Sequence, residues 1–176
     1  MTTPAPDWQP TLRDEHVVLR ALRAHDLEPL YAVASDPRLW DQHPEPDRHR
    51  RDVFERFFAK AMESRGALVI AEAASGRVIG SSRYYDWDPV RETVAVGYTF
   101  LARSHWGGTT NPRVKSLMLT HAFRHARTVW FHVGPDNVRS QRALERIGAR
   151  LDHRGVMSVG GSVADQMLFR IDRPTA

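Results

Sequence analysis

Arg103-Ser104-His105-Trp106-Gly107-Gly108-Thr109-Thr110-Asn111 stands between an apolar run at residues 93–101 and a helical pattern that begins at Pro112. A glycine pair in such a turn lets consecutive backbone amides converge at the positive end of a helix, an arrangement that can hold phosphate. Asn111 before Pro112 is a helix-start signal, because Asn caps free N–H groups and Pro tolerates the first helical position. A second set of candidates heads another helical pattern. There Asn137 can cap the helix, and Ser140 can bond locally within its first turn. His121 and His125 have the i, i+4 spacing that can hold zinc. Residue 122 is Ala where a metalloprotease helix needs Glu, and no third ligand is evident, so no metal is expected.

Other side chains admit two roles each. Trp40, Tyr84, Tyr85 and Trp87 could line an acceptor pocket or simply pack. Arg139, Arg142 and Arg146 could approach phosphates or form a solvated face. Cysteine is absent, which removes disulfides, thiolate metal sites and acyl-cysteine intermediates. The formal net charge of +4 favours anionic partners. Basic residues alternate with acidic ones, so a nucleic-acid partner is not expected. Residues 1–10 lack the layout of a secretory signal and no apolar run is long enough to span a bilayer, so no membrane partner and a cytoplasmic location are expected.

The elements that must position these groups follow from periodicity. Residues 1–10 read as a flexible lead-in and residues 11–173 as one domain. Residues 16–22 predict a strand; Asp26 then caps a helix carrying Leu27, Leu30, Tyr31 and Ala34. Residues 38–51 read as a loop, followed by a helix burying Val53, Phe54, Phe57, Phe58 and Ala61. Residues 67–72 and 78–85 form a hairpin around Gly76, and residues 93–101 a further strand. After the helix from Pro112, marked by Val114, Leu117, Met118 and Ala122, residues 128–133 predict a strand. The helix headed by Asn137 closes at Gly148. Two strands, 151–159 and 163–171, flank a Gly160-Gly161 turn. The order β-α-α-β-β-β-α-β-α-β-β predicts an α+β fold, with a mostly antiparallel central sheet of about seven strands and about four flanking helices.

Residues 98–115 and 137–149 together resemble the coenzyme-binding core of the GNAT superfamily of N-acetyltransferases. Val18-Leu19-Arg20-Ala21-Leu22 with Asp26 is similar to the branch that acetylates ribosomal-protein N-termini, and the element order agrees from end to end. The resemblance implies acetyl-CoA as cosubstrate, an amine acceptor (a protein N-terminus or a small molecule) and a monomer or homodimer. It places the pantetheine arm along Tyr98, Thr99, Phe100 and Leu101. The pyrophosphate would lie on amides of Gly107, Gly108, Thr109, Thr110 and Asn111, with Trp106, Asn137 and Arg142 as further coenzyme contacts. It casts Ser140 as the group that protonates the departing thiolate. The family's loop pattern of Gln or Arg, two residues, Gly, one residue, then Gly or Ala meets Trp106, Thr109 and Asn111 here. Its helix tyrosine is Leu144, and its strand glutamate is Ala95, with Glu92 on the opposite face. Asp86, His105, His132, a water chain or an already neutral amine remain open as the base. A catalytically silent coenzyme A-binding or regulatory protein is the alternative.

Overall fold

A computed structural model describes residues 5–159 and 162–175. Eight strands form one sheet: β1 (Leu12–Arg13), β2 (Val17–Ala21), β3 (Ala67–Glu72), β4 (Val78–Asp88), β5 (Thr93–Leu101), β6 (Thr128–Val133), β7 (Arg150–Val159) and β8 (Ser162–Asp172). Their spatial order is β1-β2-β3-β4-β5-β6-β8-β7. Four helices accompany them: α1 (Leu27–Ala34), α2 (Arg51–Ser64), α3 (Thr110–Ala122) and α4 (Val138–Arg146). The expected α+β architecture is present, with the short β1 as an eighth strand. The Gly160-Gly161 turn lies outside the described residues.

Two apolar clusters explain why the strands read as they do. One gathers Leu68, Ile70, Tyr84, Val94 and Val96 with Val114 and Met118 of α3. The other gathers Ala67, Val69 and Phe100 with Leu30 of α1 and Phe54 and Phe58 of α2. Alternate residues of β3 thus feed opposite cores, which is why its sequence is continuously apolar. Each fully buried Leu or Phe contributes about 1.5–3 kcal/mol of burial.

Several local details differ from expectation. Asp26 precedes α1 but its side chain makes no cap bond; instead it takes both arms of Arg20, at 2.7 and 2.8 Å, and the Arg23 N–H. That carboxylate ties β2 to α1. Helix α3 begins at Thr110, two residues earlier than read, so Pro112 sits within its first turn. In place of a loose lead-in, residues 5–10 are anchored: Trp8 packs on Tyr84 and Trp87, and Gln9 donates to the Ala67 carbonyl. Gly148 closes α4 with φ +88°, as its position after the helix required.

The sheet comes apart in its middle. Strands β5 and β6 pair in parallel only where Thr93, Val94 and Ala95 meet Thr128, Val129 and Trp130. Beyond Ala95, β5 stays with β4 while β6 stays with β8. The register of β5 against β4 also slips between Gly97 and Phe100, and Tyr98 takes φ +53°. A bulge with a left-handed non-glycine residue re-aims the side chains next to the gap.

Candidate active site

A cavity of about 400 Å³ fills the gap where β5 and β6 part. Tyr98, Thr99, Phe100 and Leu101 form one wall, and Phe131, His132 and Val133 face them. Gly107, Gly108 and Asn111 edge it at the start of α3, and Asn137, Ser140 and Leu144 edge it at α4. The turn before α3 depends on Gly107, whose φ is +70° with nothing within 4 Å of a built Cβ. Backbone conformation, not space, therefore requires glycine there. Helix α3 begins without a side-chain cap on its N-cap residue, Thr109.

Most of the residues singled out in the sequence converge here. Trp106 lines the cavity, with its Nε1 anchored on the Leu101 carbonyl at 3.0 Å and its ring stacked under Arg139 at 4.0 Å. Thr109 and Thr110 face a neighbouring surface hollow instead. Arg142 is exposed and does not line the cavity, whereas Arg139 and Arg146 do. Asn137 is buried and caps α4 by accepting from the Ser140 N–H at 3.2 Å. Capping uses only its oxygen, so both roles read for it are compatible. Of the aromatic candidates, Trp40 and Tyr85 line the cavity. Tyr84 is a core residue donating to the Met118 carbonyl, and Trp87 packs on Trp8. His121 bonds the Asp7 carbonyl and, with His125, packs against Trp8.

The open question of a base narrows by geometry. Glu92 pairs with Arg127 away from the cavity. His105 lies near the α3 turn, held by Glu72 at 3.1 Å. His132 and Asp86 line the acceptor side, and His132 Nδ1 meets the Tyr85 hydroxyl at 3.1 Å. Burial pushes the His132 imidazole below its ordinary pKa, so it is neutral at pH 7. Burial likewise pushes Tyr85 up, so its hydroxyl keeps its proton. In the tautomer whose Nδ1–H donates to the Tyr85 oxygen, Nε2 of His132 is free to accept a proton.

Lys115 was not among the candidates and lines the same cavity. It is 5% exposed, its Nζ donates to Thr99 Oγ1 at 2.6 Å, and Thr99 Oγ1 meets Ser82 Oγ at 2.8 Å. Burial lowers its pKa to about 7. The sequence held a signal: Lys115 lies three and seven residues before Met118 and Ala122, on the buried face of α3.

The sequence profile of the acetyltransferase (GNAT) domain family matches residues 16–150. No curated protein matches the chain. Among solved structures, a GCN5-related N-acetyltransferase from Brucella melitensis superposes with a TM-score of 0.82 at 23% identity, over 96% of this chain and 80% of that one. Mycobacterium smegmatis RimJ, solved with CoA-disulfide, gives 0.73 at 19% identity, over 95% and 89%. Spermidine N-acetyltransferase from Vibrio cholerae, solved with CoA and spermine, gives 0.69 at 17%, over 90% and 96%.

Proposed function

The chain belongs to the acetyltransferase (GNAT) family, and from that premise we propose that it moves an acetyl group from acetyl-CoA to an amine by direct attack in a ternary complex. One observation carries the proposal: the cavity between β5 and β6 is lined both by the turn before α3, at Gly107, Gly108 and Asn111, and by His132, Asp86 and Tyr85. Coenzyme phosphates would sit on the amides of residues 107–111, where the helix end favours negative charge. The pantetheine arm would follow Tyr98, Thr99, Phe100 and Leu101. The amine would approach from the side of His132, whose Nε2 accepts its proton as nitrogen attacks the thioester carbonyl. Collapse of the tetrahedral intermediate expels the thiolate, which takes the Ser140 proton as the serine regains one from solvent and His132 releases the proton it accepted. The Ser140 side chain lines the cavity at the head of α4, which suits that role.

The experiment is release of free coenzyme A thiol from acetyl-CoA over a panel of amines, beside mass spectrometry of the protein. Release that depends on the amine, with no stable acylated protein on the turnover pathway, supports direct transfer. Tight coenzyme binding without release on any acceptor would instead favour a silent coenzyme-binding protein, the reading motivated by Ala95 and Leu144.

A further inference from the structure

Two arginines lie buried around Tyr98 with too little negative charge about them, Arg48 in the cavity wall and Arg83 behind it. Arg48 is 3% exposed and lines the cavity; its Cζ lies 4.3 Å from the Phe57 ring and 5.1 Å from Trp40. Arg83 is 7% exposed and stacks at 4.1 Å on the ring of Tyr98, itself a cavity wall. Its Cζ is 5.5 Å from the same Phe57, so the two guanidinium groups share one aromatic neighbour. Glu45 pairs with Arg48, and His43 stands 3.3 Å from it. Burial, reinforced by Arg48, lowers His43 to about 3, so it adds no charge at neutral pH. Arg83 senses Tyr98, Arg48 and Tyr85, none of them a carboxylate. Nε of Arg48 and both Nε and Nη2 of Arg83 are buried with no hydrogen-bond partner among the described residues.

Buried polar donors in native proteins are satisfied, and an unpaired buried charge is strongly destabilising. Two guanidinium groups against one carboxylate leave one positive charge over. A planar carboxylate matches a guanidinium fork and would supply the charge, with an acceptor for Arg48. The same cavity is lined by Asp86 and His132, which suit an ammonium or amine group. We propose that the acceptor is a small amine that also bears a carboxylate, as an amino acid does, seated with its carboxylate against Arg48 and its nitrogen towards His132. Arg83 contributes from behind Tyr98 as a positioning charge. A polycationic amine would meet this end of the cavity with repulsion. The inference rests on the proposed acetyl transfer for its second half, the identity of the acceptor, but the anion site itself stands without it.

The test uses glycine, β-alanine, 4-aminobutyrate and 5-aminovalerate against their carboxamides, with spermidine and an aminoalkyl phosphonate as further arms. Thiol release should prefer at least one amino acid over its amide by roughly tenfold or more in kcat/KM, the worth of a charge-assisted bond. Preference for the phosphonate would keep the anion site and overturn the carboxylate. Arg83→Met and Arg48→Gln should bring the acid-to-amide ratio towards one, chiefly by lowering kcat/KM for the acid. Arg83→Met should also raise the melting temperature, since it removes an unpaired buried charge; a structural arginine would lower it. Should Arg83→Met fail to fold, Arg83→Lys keeps the charge behind Tyr98 and should keep most of the preference, whose loss would overturn the positioning role. If no amine releases thiol, acetyl transfer fails. The anion site is then read separately, by NMR of the Arg48 and Arg83 Nε–H groups of the coenzyme-saturated protein titrated with the same amino acids. Movement of either resonance supports the site, and silence of both to tens of millimolar overturns it. Equal use of acids and amides, or of spermidine above all, also overturns it.

Discussion

Lys115 is a buried amine, and its titration can be read in stability. Its folded pKa of about 7 lies far below the ordinary lysine value of about 10.4. Between those limits the unfolded chain holds a proton that the folded one lacks, so stability rises with pH, at up to roughly 1.4 kcal/mol per unit. Below pH 7 both states are protonated and the slope vanishes. Lys115→Met removes the group, so urea midpoints of the variant should stay flatter than those of the parent from pH 7.5 to 9.5. Parallel profiles would show that the amine is not buried as described. Lys115, Arg48 and Arg83 share a reason for being hard to see in the sequence. Each is a long cation in a stretch that otherwise reads as amphipathic or loop, and burial depends on what folds over it. Arg48 becomes interior only because residues 37–50 turn back over Phe57 and Trp40. That Asn137 and Ser140 stand at a helix start was legible because a cap and the first turn it closes are local in sequence.

Among the elements, the turn before α3 separates conformation from contact. Gly107 and Gly108 both have open space where a Cβ would stand, but only Gly107 has a positive φ. Gly108→Ala should therefore leave melting temperature and coenzyme affinity nearly unchanged. Gly107→Val must either bear a left-handed cost of about 1–2 kcal/mol or swing the turn into another conformation. It should weaken coenzyme A binding by about tenfold or more by calorimetry, because the amides of the turn no longer converge. Equal affinity in the two variants would remove the turn from the phosphate site. The elements themselves were plain in the sequence because their signals are short-range: the apolar run of β3, the Gly76 hairpin, the apolar stripe of α2 and the Gly148 stop. The start of α3 was misplaced since Asn111-Pro112 mimics a cap, while the backbone had already turned helical at Thr110. Nothing local announces that β5 and β6 separate. Both read as strands to their ends, and their parting follows from partners on either side, β4 and β8, pulling the pleats apart.

At the scale of the molecule, that parting makes two unequal half-sheets, β1–β5 and β6–β8, joined through three residues of parallel pairing and the crossover helix α3. Parallel pairing over so short a stretch is a weak hinge, and the edges of β5 beyond Ala95 and of β6 beyond Trp130 leave backbone groups facing the gap. A coenzyme arm lying in the gap would satisfy groups on the β5 wall while its bulk packs against β6, so its binding should stiffen the joint as a whole. At a hundred times its dissociation constant a ligand that binds only the folded state adds about 2.7 kcal/mol, which for a domain of this size raises the melting temperature by about 5–10 °C. That shift alone would not say where the ligand lies. Hydrogen exchange would: added coenzyme A should slow amides on both walls, residues 96–101 and 131–133, as well as those at 107–111. Protection confined to the turn would mean that phosphate binding leaves the gap unbridged, and the assignment of the cavity to the pantetheine arm would fall with it.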